Sequence, residues 1–457
     1  MNHTAPTATR PDADSARRFQ AYGTHQLDRI AKRFGLTGDT LEAVRLVSLV
    51  LPFRVNEYVL RNLIDWDHVP DDPVFQLVFP QPGMLSATDE ARLTEERRRA
   101  DRRSLATLVA DIRARLNPHP GHQAELNVPH DKRGALPGTQ HKYRETLLYF
   151  PSSGQTCHAY CTYCFRWAQF VGEADLRFAA SSPHRAVSYL RQHPEVSDVL
   201  VTGGDPMVMS TSRLREHLEP LLDVAGVRTI RIGTKSVAYW PHRFVTDADA
   251  DDTLRLFEQV VRSGRTLAIM AHFSHSCELA PDVARRALAR IRETGAVVYC
   301  QAPLIAHVND DAGVWERLWR TELAAGAAPY YMFVARDTGP RDYFKVPLGR
   351  AASIFREAYR NLPGLARTVR GPVMSTTAGK VIVDGVEQGP EGRFFQLRFL
   401  QARDPALVGR PFRAHYRADA AWLDELEPAP GTPADLAAAV TDPVPPGSHV
   451  PPAGEES

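Results

Sequence analysis

The chain has 457 residues, 43% of them hydrophobic and 24% charged, with a formal net charge of +1. That length allows two domains or one large α/β domain with extensions, and the near-neutral charge gives no reason to expect nucleic acid or an anionic membrane as a partner. No apolar run approaches the roughly 18 residues of a membrane span, and there is no signal-peptide core at the N-terminus; five cysteines, three of them clustered, suit a reducing cytoplasm better than a disulfide scaffold.

Residues 1–14 and 428–457 cannot bury enough apolar area to fold on their own and are expected to be disordered. Residues 15–140 form a helical N-terminal region. A connecting stretch through Pro118–Pro120 and Pro137-Gly138 leads on to the first strand, while about 15–117 read as mainly helical and end in the charged segment Thr88–Asn117. There Arg97, Arg98, Arg99, Arg102 and Arg103 alternate with Glu95, Glu96 and Asp101, the pattern of a solvated helix face. This region could serve assembly into a homo-oligomer or cover the domain that follows.

From about residue 146 short apolar runs alternate with helical patterns. The strands are expected at Thr146–Phe150, Asp198–Gly203, Thr229–Thr234, Thr266–Phe273, Val297–Leu304 and Pro329–Arg336. Each is nearly continuous in apolarity, as parallel strands covered on both faces should be. Helical segments lie between them at Ser210–Ala225, Asp247–Gly264, Pro281–Gly295, Asp311–Gly326 and Gly349–Gly364. In the third, Val283, Ala287, Leu288 and Ile291 form an apolar face opposite Arg285, Arg286, Arg290 and Arg292. Such alternation implies a parallel sheet with right-handed crossovers, and six units suit an open partial barrel. After residue 365, Lys380–Val386 and Arg393–Leu400 read as short strands around Gly389-Pro390.

The loop after the first strand contains Cys157-His158-Ala159-Tyr160-Cys161-Thr162-Tyr163-Cys164, a C-x3-C-x2-C triplet. Three thiolates at this spacing can each hold one iron of a [4Fe-4S] cubane and leave the fourth iron open to a small molecule. A three-cysteine zinc site completed by His158, or three unrelated thiols, are the alternatives. Parallel α/β sheets build their sites at the carboxyl ends of the strands, and the triplet falls there. So do Gly203-Gly204-Asp205-Pro206 after the second strand, Thr234 after the third and His272-Phe273-Ser274-His275 after the fourth. Gln301 lies within the fifth. Glycines there permit close backbone approach to a ligand, Asp205 can accept from an ammonium, and the Thr234 hydroxyl could meet a ribose or a carboxylate. Cys277 and Cys300 stand apart and offer no ligand set for a second cluster.

The triplet, with Tyr163 just before its last cysteine, resembles the signature of radical S-adenosylmethionine (SAM) enzymes. Over roughly residues 45–400 the chain is similar to their lysine 2,3-aminomutase family. The matching segments are Leu51-Pro52-Phe53-Arg54, Pro70-Asp71-Asp72-Pro73, Thr202–Pro206, Arg231–Thr234, His272-Phe273, Val308-Asn309-Asp310, Pro329-Tyr330-Tyr331 and Pro372-Val373-Met374. The resemblance implies SAM on the open iron, with Tyr163, Gly203, Gly204, Asp205, Thr234, His272 and Gln301 around it. It also implies that a 5′-deoxyadenosyl radical takes hydrogen from a substrate, that Arg166 grips the substrate carboxylate, and that a flavodoxin- or ferredoxin-type protein supplies the electron. The expected fold is α/β: a partial (βα)6 radical-SAM barrel over 141–345, with the helical N-terminal region and a small α/β C-terminal extension over 346–427.

Two departures bear on function. Family members carry a glycine-rich run ending in the lysine that forms the Schiff base with pyridoxal phosphate (PLP), just before Pro-Val-Met. Here Arg370 holds that place, and a guanidinium forms no aldimine. Lys380, ten residues on, matches a different family position and is the candidate should PLP be retained; Thr146 stands where the family has an arginine near the cofactor phosphate. Secondly, Arg336 replaces the aspartate that holds the distal ammonium in lysine-specific members. With Arg166 and Arg370 nearby as further substrate-binding residues, this charge reversal favours an acidic substrate, a dicarboxylate or a phosphorylated small molecule. The alternative is that Arg336 pairs with Asp337. The expected function is therefore hydrogen abstraction from a small carboxylate or amino-acid-like substrate without covalent PLP. The alternatives are a PLP-dependent amino acid 2,3-aminomutase and a non-catalytic Fe–S or zinc protein. No residue is assigned a catalytic role of its own.

Overall fold

The computed structural model describes residues 18–117, 127–172 and 178–441. Its main sheet has eleven strands in sequential spatial order: β1 Thr139–Tyr143, β2 Thr146–Tyr149, β3 Asp198–Val201, β4 Thr229–Thr234, β5 Thr266–Ala271, β6 Val297–Leu304, β7 Ala328–Val334, β8 Arg370–Ser375, β9 Gly379–Gly389, β10 Gly392–Ala402 and β11 Pro411–His415. The seven strands from β2 to β8 run parallel, while β1 and the β9–β11 group add antiparallel margins. The six apolar runs of the sequence each form a parallel strand, since Val, Ile, Leu and aromatic residues fill a surface covered on both faces.

The sheet has one parallel strand more than six units supply. Arg370-Gly371-Pro372-Val373-Met374-Ser375 pairs with β7 after a crossover through the helix Leu348–Arg360. Gly and Pro mask it, because proline donates no ladder hydrogen bond and reads as a break. Consequently no break in the sheet separates residues before 345 from those after. Val334 on β7 shares a buried cluster with Met374, Val381 and Phe399. The tail expected from 428 also differs: the helix Ala434–Thr441 buries Leu436 and Val440 on the same cluster. Residues 1–14 and 442–457 lie outside the described residues.

The sheet curls. Tyr143 on β1 lies against the ammonium of Lys380 on β9, 4.7 Å from the ring centroid, and Lys142 donates to the backbone carbonyl of Thr376. Strands from opposite sides of the sheet can meet in this way only across a concave face.

Helix ends follow their local chemistry. Asp311 accepts from Gly313 N at 2.8 Å to cap Ala312–Ala324. Gly295, at φ 85°, ends Asp282–Glu293 in the left-handed region. Among the described residues the N-terminal region is helical apart from two short ribbons, Ala21–Gly23 with Arg54–Asn56 and His130–Asp131 with Gly134–Ala135, before β1 begins. Among the described residues no helix is long and apolar enough to cross a membrane.

Candidate active site

The three cysteines sit on tight turns at the carboxyl end of β2. Cys164 N donates to Cys161 O at 3.1 Å and Trp167 N to Cys164 O at 3.0 Å. All three thiols are free and partly exposed, and burial of the surroundings pushes them up, Cys164 to about 12. Iron or another soft cation would displace those protons. Two separate regions hold the loop in shape. From the N-terminal region, Arg54 O accepts from Tyr160 N at 2.9 Å and Leu77 O from Thr162 N at 2.9 Å. Gln76 O accepts from the Thr162 hydroxyl at 2.7 Å, and Asn56 Nδ2 donates to His158 O at 3.1 Å and Tyr239 O at 2.9 Å.

From the sheet, the Gly203-Gly204-Asp205 segment packs directly on the start of the loop. A Cβ on Gly204 would lie 2.5 Å from Thr156 O, and one on Gly203, whose φ is +149°, 2.2 Å from Gln155 Nε2. These glycines are thus required by the contact between β3 and the cysteine loop, not by approach to a ligand alone. Asp205 N completes the join, donating to Thr156 O at 2.8 Å.

Asp205 is buried and its carboxylate is already engaged. It accepts from Thr234 Oγ1 at 2.7 Å, Met207 N at 2.9 Å, Lys235 N at 2.9 Å and Ser236 Oγ at 3.0 Å. Burial raises its pKa and these donors oppose the rise. Asp205 and Thr234, each expected to meet a ligand separately, are bonded to one another and tie the ends of β3 and β4 together.

Tyr163 and His272 are also brought together. The phenol lies 2.8 Å from His272 Nε2 and 3.1 Å from Ser274 Oγ. Desolvation holds the His272 imidazole well below its ordinary range, so it is neutral. Beside them is a buried ion pair without any local sequence signal: Lys235 Nζ lies 2.7 Å from Glu278 Oε1 and 4.7 Å from the Tyr239 ring centroid. The Tyr239 hydroxyl in turn is 3.7 Å from Cys161 Sγ. His158 turns to other work. Its Nδ1 is 2.9 Å from Ser236 Oγ, its ring packs edge-on against Phe19, and burial lowers its pKa to about 3. Among the described residues no three His, Cys, Asp or Glu side chains converge closely enough to hold a single metal ion. The zinc reading through His158 therefore gains no support. An all-thiolate set whose members serve separate corners of a cluster suits the chemistry of the loop.

Arg166 is buried, at 7% exposure, and its guanidinium has no carboxylate within ion-pair distance among the described residues. Nη2 donates to Gln169 Oε1 at 2.6 Å and Gln155 Oε1 at 3.2 Å, and the group lies 4.4 Å from the Phe150 centroid. Nε, also buried, has no hydrogen-bond partner. Burial lowers its pKa to about 10, so it stays charged at neutral pH. A sealed cation without an anion costs free energy that an incoming carboxylate returns.

Arg336 lies between the loop and the C-terminal part, 5.6 Å from the Phe165 centroid and 5.7 Å from that of Trp422. Asp337 Oδ1 is 3.6 Å from its Nε, so the ion pair with the adjacent residue is present. Gln301 is half-buried on β6 at an irregularity in its pairing with β7. Arg370 is not in the cysteine loop's immediate shell. Its guanidinium rests 4.5 Å from the Tyr330 centroid and 4.4 Å from that of Tyr331. Lys380 is nearby, 5.8 Å from the Tyr331 centroid, with its pKa lowered to about 7 by burial and by Arg231 and Arg370. Arg370 thus presents a guanidinium, which forms no PLP aldimine.

No family model matches the chain. It is similar to a putative L-lysine 2,3-aminomutase of Aquifex aeolicus, 29% identical over 82% of this chain and 87% of that one. The L-lysine 2,3-aminomutase of Bacillus subtilis is 24% identical over 74% of this chain and 62% of that protein, a little under two thirds of its length. That of Escherichia coli is 28% identical over 54% and 70% respectively. The solved structure of native anSMEcpe with bound AdoMet and peptide overlaps 49% of this chain and 63% of that one at 9% identity and a TM-score of 0.36, too low to add to the comparison.

Proposed function

We propose that this chain, a relative of the L-lysine 2,3-aminomutases, is a radical SAM enzyme that takes hydrogen from a small acidic or amino-acid-like substrate without covalent PLP. The curled sheet is then the partial barrel of such enzymes, extended by β8. A [4Fe-4S] cluster on Cys157, Cys161 and Cys164 would supply the electron that cleaves SAM, itself delivered by a flavodoxin- or ferredoxin-type protein in a reducing cytoplasm. Around it the chain's own groups orient and exclude. Tyr163, fixed by His272 and Ser274, offers a ring for an adenine. The Gly203–Asp205 segment and Thr234 form the adjoining wall, with Gln301 within β6. Arg166 holds a substrate carboxylate.

The observation that carries the reading is Arg166, a sealed guanidinium with no carboxylate beside the three thiols. Anaerobic, reconstituted protein with dithionite and SAM is expected to form 5′-deoxyadenosine. Cys161→Ser is expected to lose both this activity and most of its iron and acid-labile sulfide. Iron retained without any deoxyadenosine would leave an Fe–S protein with no turnover.

One observation favours a second reading. Lys380 carries an amine of depressed basicity close to Arg370, and such an amine is competent to form an imine. A PLP-dependent 2,3-aminomutase using Lys380 is the corresponding function.

A further inference from the structure

Inside the curled sheet, positive charge outnumbers negative. Arg231 is paired, its Nη2 2.6 Å from Asp198 Oδ2. Arg370 has no carboxylate within ion-pair distance among the described residues, and rests only on the faces of Tyr330 and Tyr331. Lys380 donates to Gln401 Oε1 at 2.5 Å and otherwise lies against the rings of Tyr143 and Tyr331. Arg370 and Lys380 thus flank one ring, that of Tyr331. Further positive charge lies outward: Lys142 feels Lys380, Arg336 and Arg403, and Arg336 lies beside Asp337.

These groups are not sealed in. Arg231, Arg370, Lys380, Tyr330 and Gln401 are all half-buried. Solvent and a small solute can therefore reach them. Cations crowded at low dielectric repel one another, and an anion among them removes that cost.

We propose that Arg370, Lys380 and Arg231 form a seat for an anionic group of the substrate, a carboxylate or a phosphate. This deepens the functional reading above by placing the substrate's charged end, while the binding itself requires no radical chemistry. Arg370 supplies a planar fork able to bind two oxygens at once, Lys380 a point charge, and Gln401 a neutral partner for the lysine. Arg231, already neutralised in part by Asp198, sets the field.

The seat has a pH signature. Lys380 is faced by Lys142 and Tyr143 from β1, Asp198 from β3, Arg231 from β4, Tyr331 from β7, Arg370 from β8 and Gln401 from β10. Its pKa of about 7 leaves the amine largely neutral above neutrality. An anion favours the charged form, so binding takes up a proton and weakens as pH rises through that value.

The test is calorimetric titration of the full-length, cluster-loaded protein with inorganic phosphate and, separately, with succinate, at about pH 6 and about pH 8. Saturable binding of at least one anion is expected, stronger at the lower pH. Arg370→Gln and Lys380→Met should each weaken it by about tenfold or more. Lys380→Arg should retain binding and remove the part of its pH dependence that does not come from the anion's own ionisation, which also guards against misreading a poorly folded variant. Phosphate alone binding would indicate a phosphorylated substrate, succinate alone a dicarboxylate. Absence of saturable binding for both anions, or binding unaltered in both charge-removing variants, would overturn the proposal. Deoxyadenosine formation by the same preparations is read separately: its loss with anion binding intact would sink the radical reading and leave the seat standing.

Discussion

The phenol of Tyr163 and the imidazole of His272, 109 positions apart in the sequence, share a hydrogen bond of 2.8 Å. It joins the cysteine loop to the end of β5 and fixes the ring beside the last cysteine. Because His272 is held neutral by desolvation, it can accept from the phenol while its second nitrogen keeps the proton. Tyr163→Phe removes this bond and the one to Ser274. About 1–2 kcal/mol of ordering should be lost, seen as roughly a 5- to 30-fold weaker SAM affinity in equilibrium dialysis. An unchanged affinity would make the pair purely structural. The wild-type affinity should show no step at about pH 6.5, the ordinary imidazole range.

Arg166 should matter to the substrate and not to SAM. Arg166→Gln preserves hydrogen bonding to Gln155 and Gln169 in part but removes the charge. Loss of a charge-assisted bond of about 1.5–3 kcal/mol predicts a KM about 10- to 150-fold higher for the carboxylate substrate. Uncoupled deoxyadenosine formation without substrate should persist. Should SAM cleavage fall and KM stay constant, Arg166 belongs to the cofactor side.

Lys380 makes the fold itself respond to pH. Its folded pKa of about 7 lies below the unfolded value of about 10.4. Between these values the unfolded chain binds the extra proton, so this residue's contribution makes stability rise with pH across that window. It is complete above the unfolded pKa and lost as pH falls towards 7. In Lys380→Met that slope should disappear. Thermal midpoints of the two proteins should therefore converge on the alkaline side and separate towards neutrality, with the variant the more stable. Parallel pH curves would refute the burial argument.

Covalent PLP is decided by chemistry. Incubation with PLP, borohydride reduction and peptide mass spectrometry should give no stoichiometric pyridoxyl-lysine in the wild type. Arg370→Lys places an amine at the position that the resemblance assigns to the Schiff-base lysine and should gain a label there. A stoichiometric adduct on Lys380 of the wild type would replace the proposed function by the aminomutase.

The parallel strands were legible because their apolar runs obey a local rule that needs no knowledge of partners. Arg370–Ser375 was not, since Gly371 and Pro372 interrupt that pattern and only pairing with β7 makes the segment a strand. In the site, the cysteine spacing was legible for the same local reason. The roles of Gly204 and Asp205 were half visible: their place at a strand end follows from the sequence, but their occupation by Thr156, Thr234 and Ser236 depends on tertiary contacts. Lys235 and Glu278 carry no motif, and Asn56 reaches His158 and Tyr239 across 102 and 183 positions. Nor does composition foretell that Arg370 and Lys380 share one tyrosine ring, because that depends on the pairing of β7, β8 and β9.

The backbone carbonyls of Arg54 and Leu77 hold the amides of Tyr160 and Thr162, so the stretch from 54 to 77 is a mould for the loop as well as a cover. A mould and its casting stabilise one another by the same free energy. Whatever fills the three thiols should tighten the grip of the N-terminal segment, and loosening that segment should release what the thiols hold. Protease resistance near residues 54–77 would then report the filling of a site about eighty or more positions away.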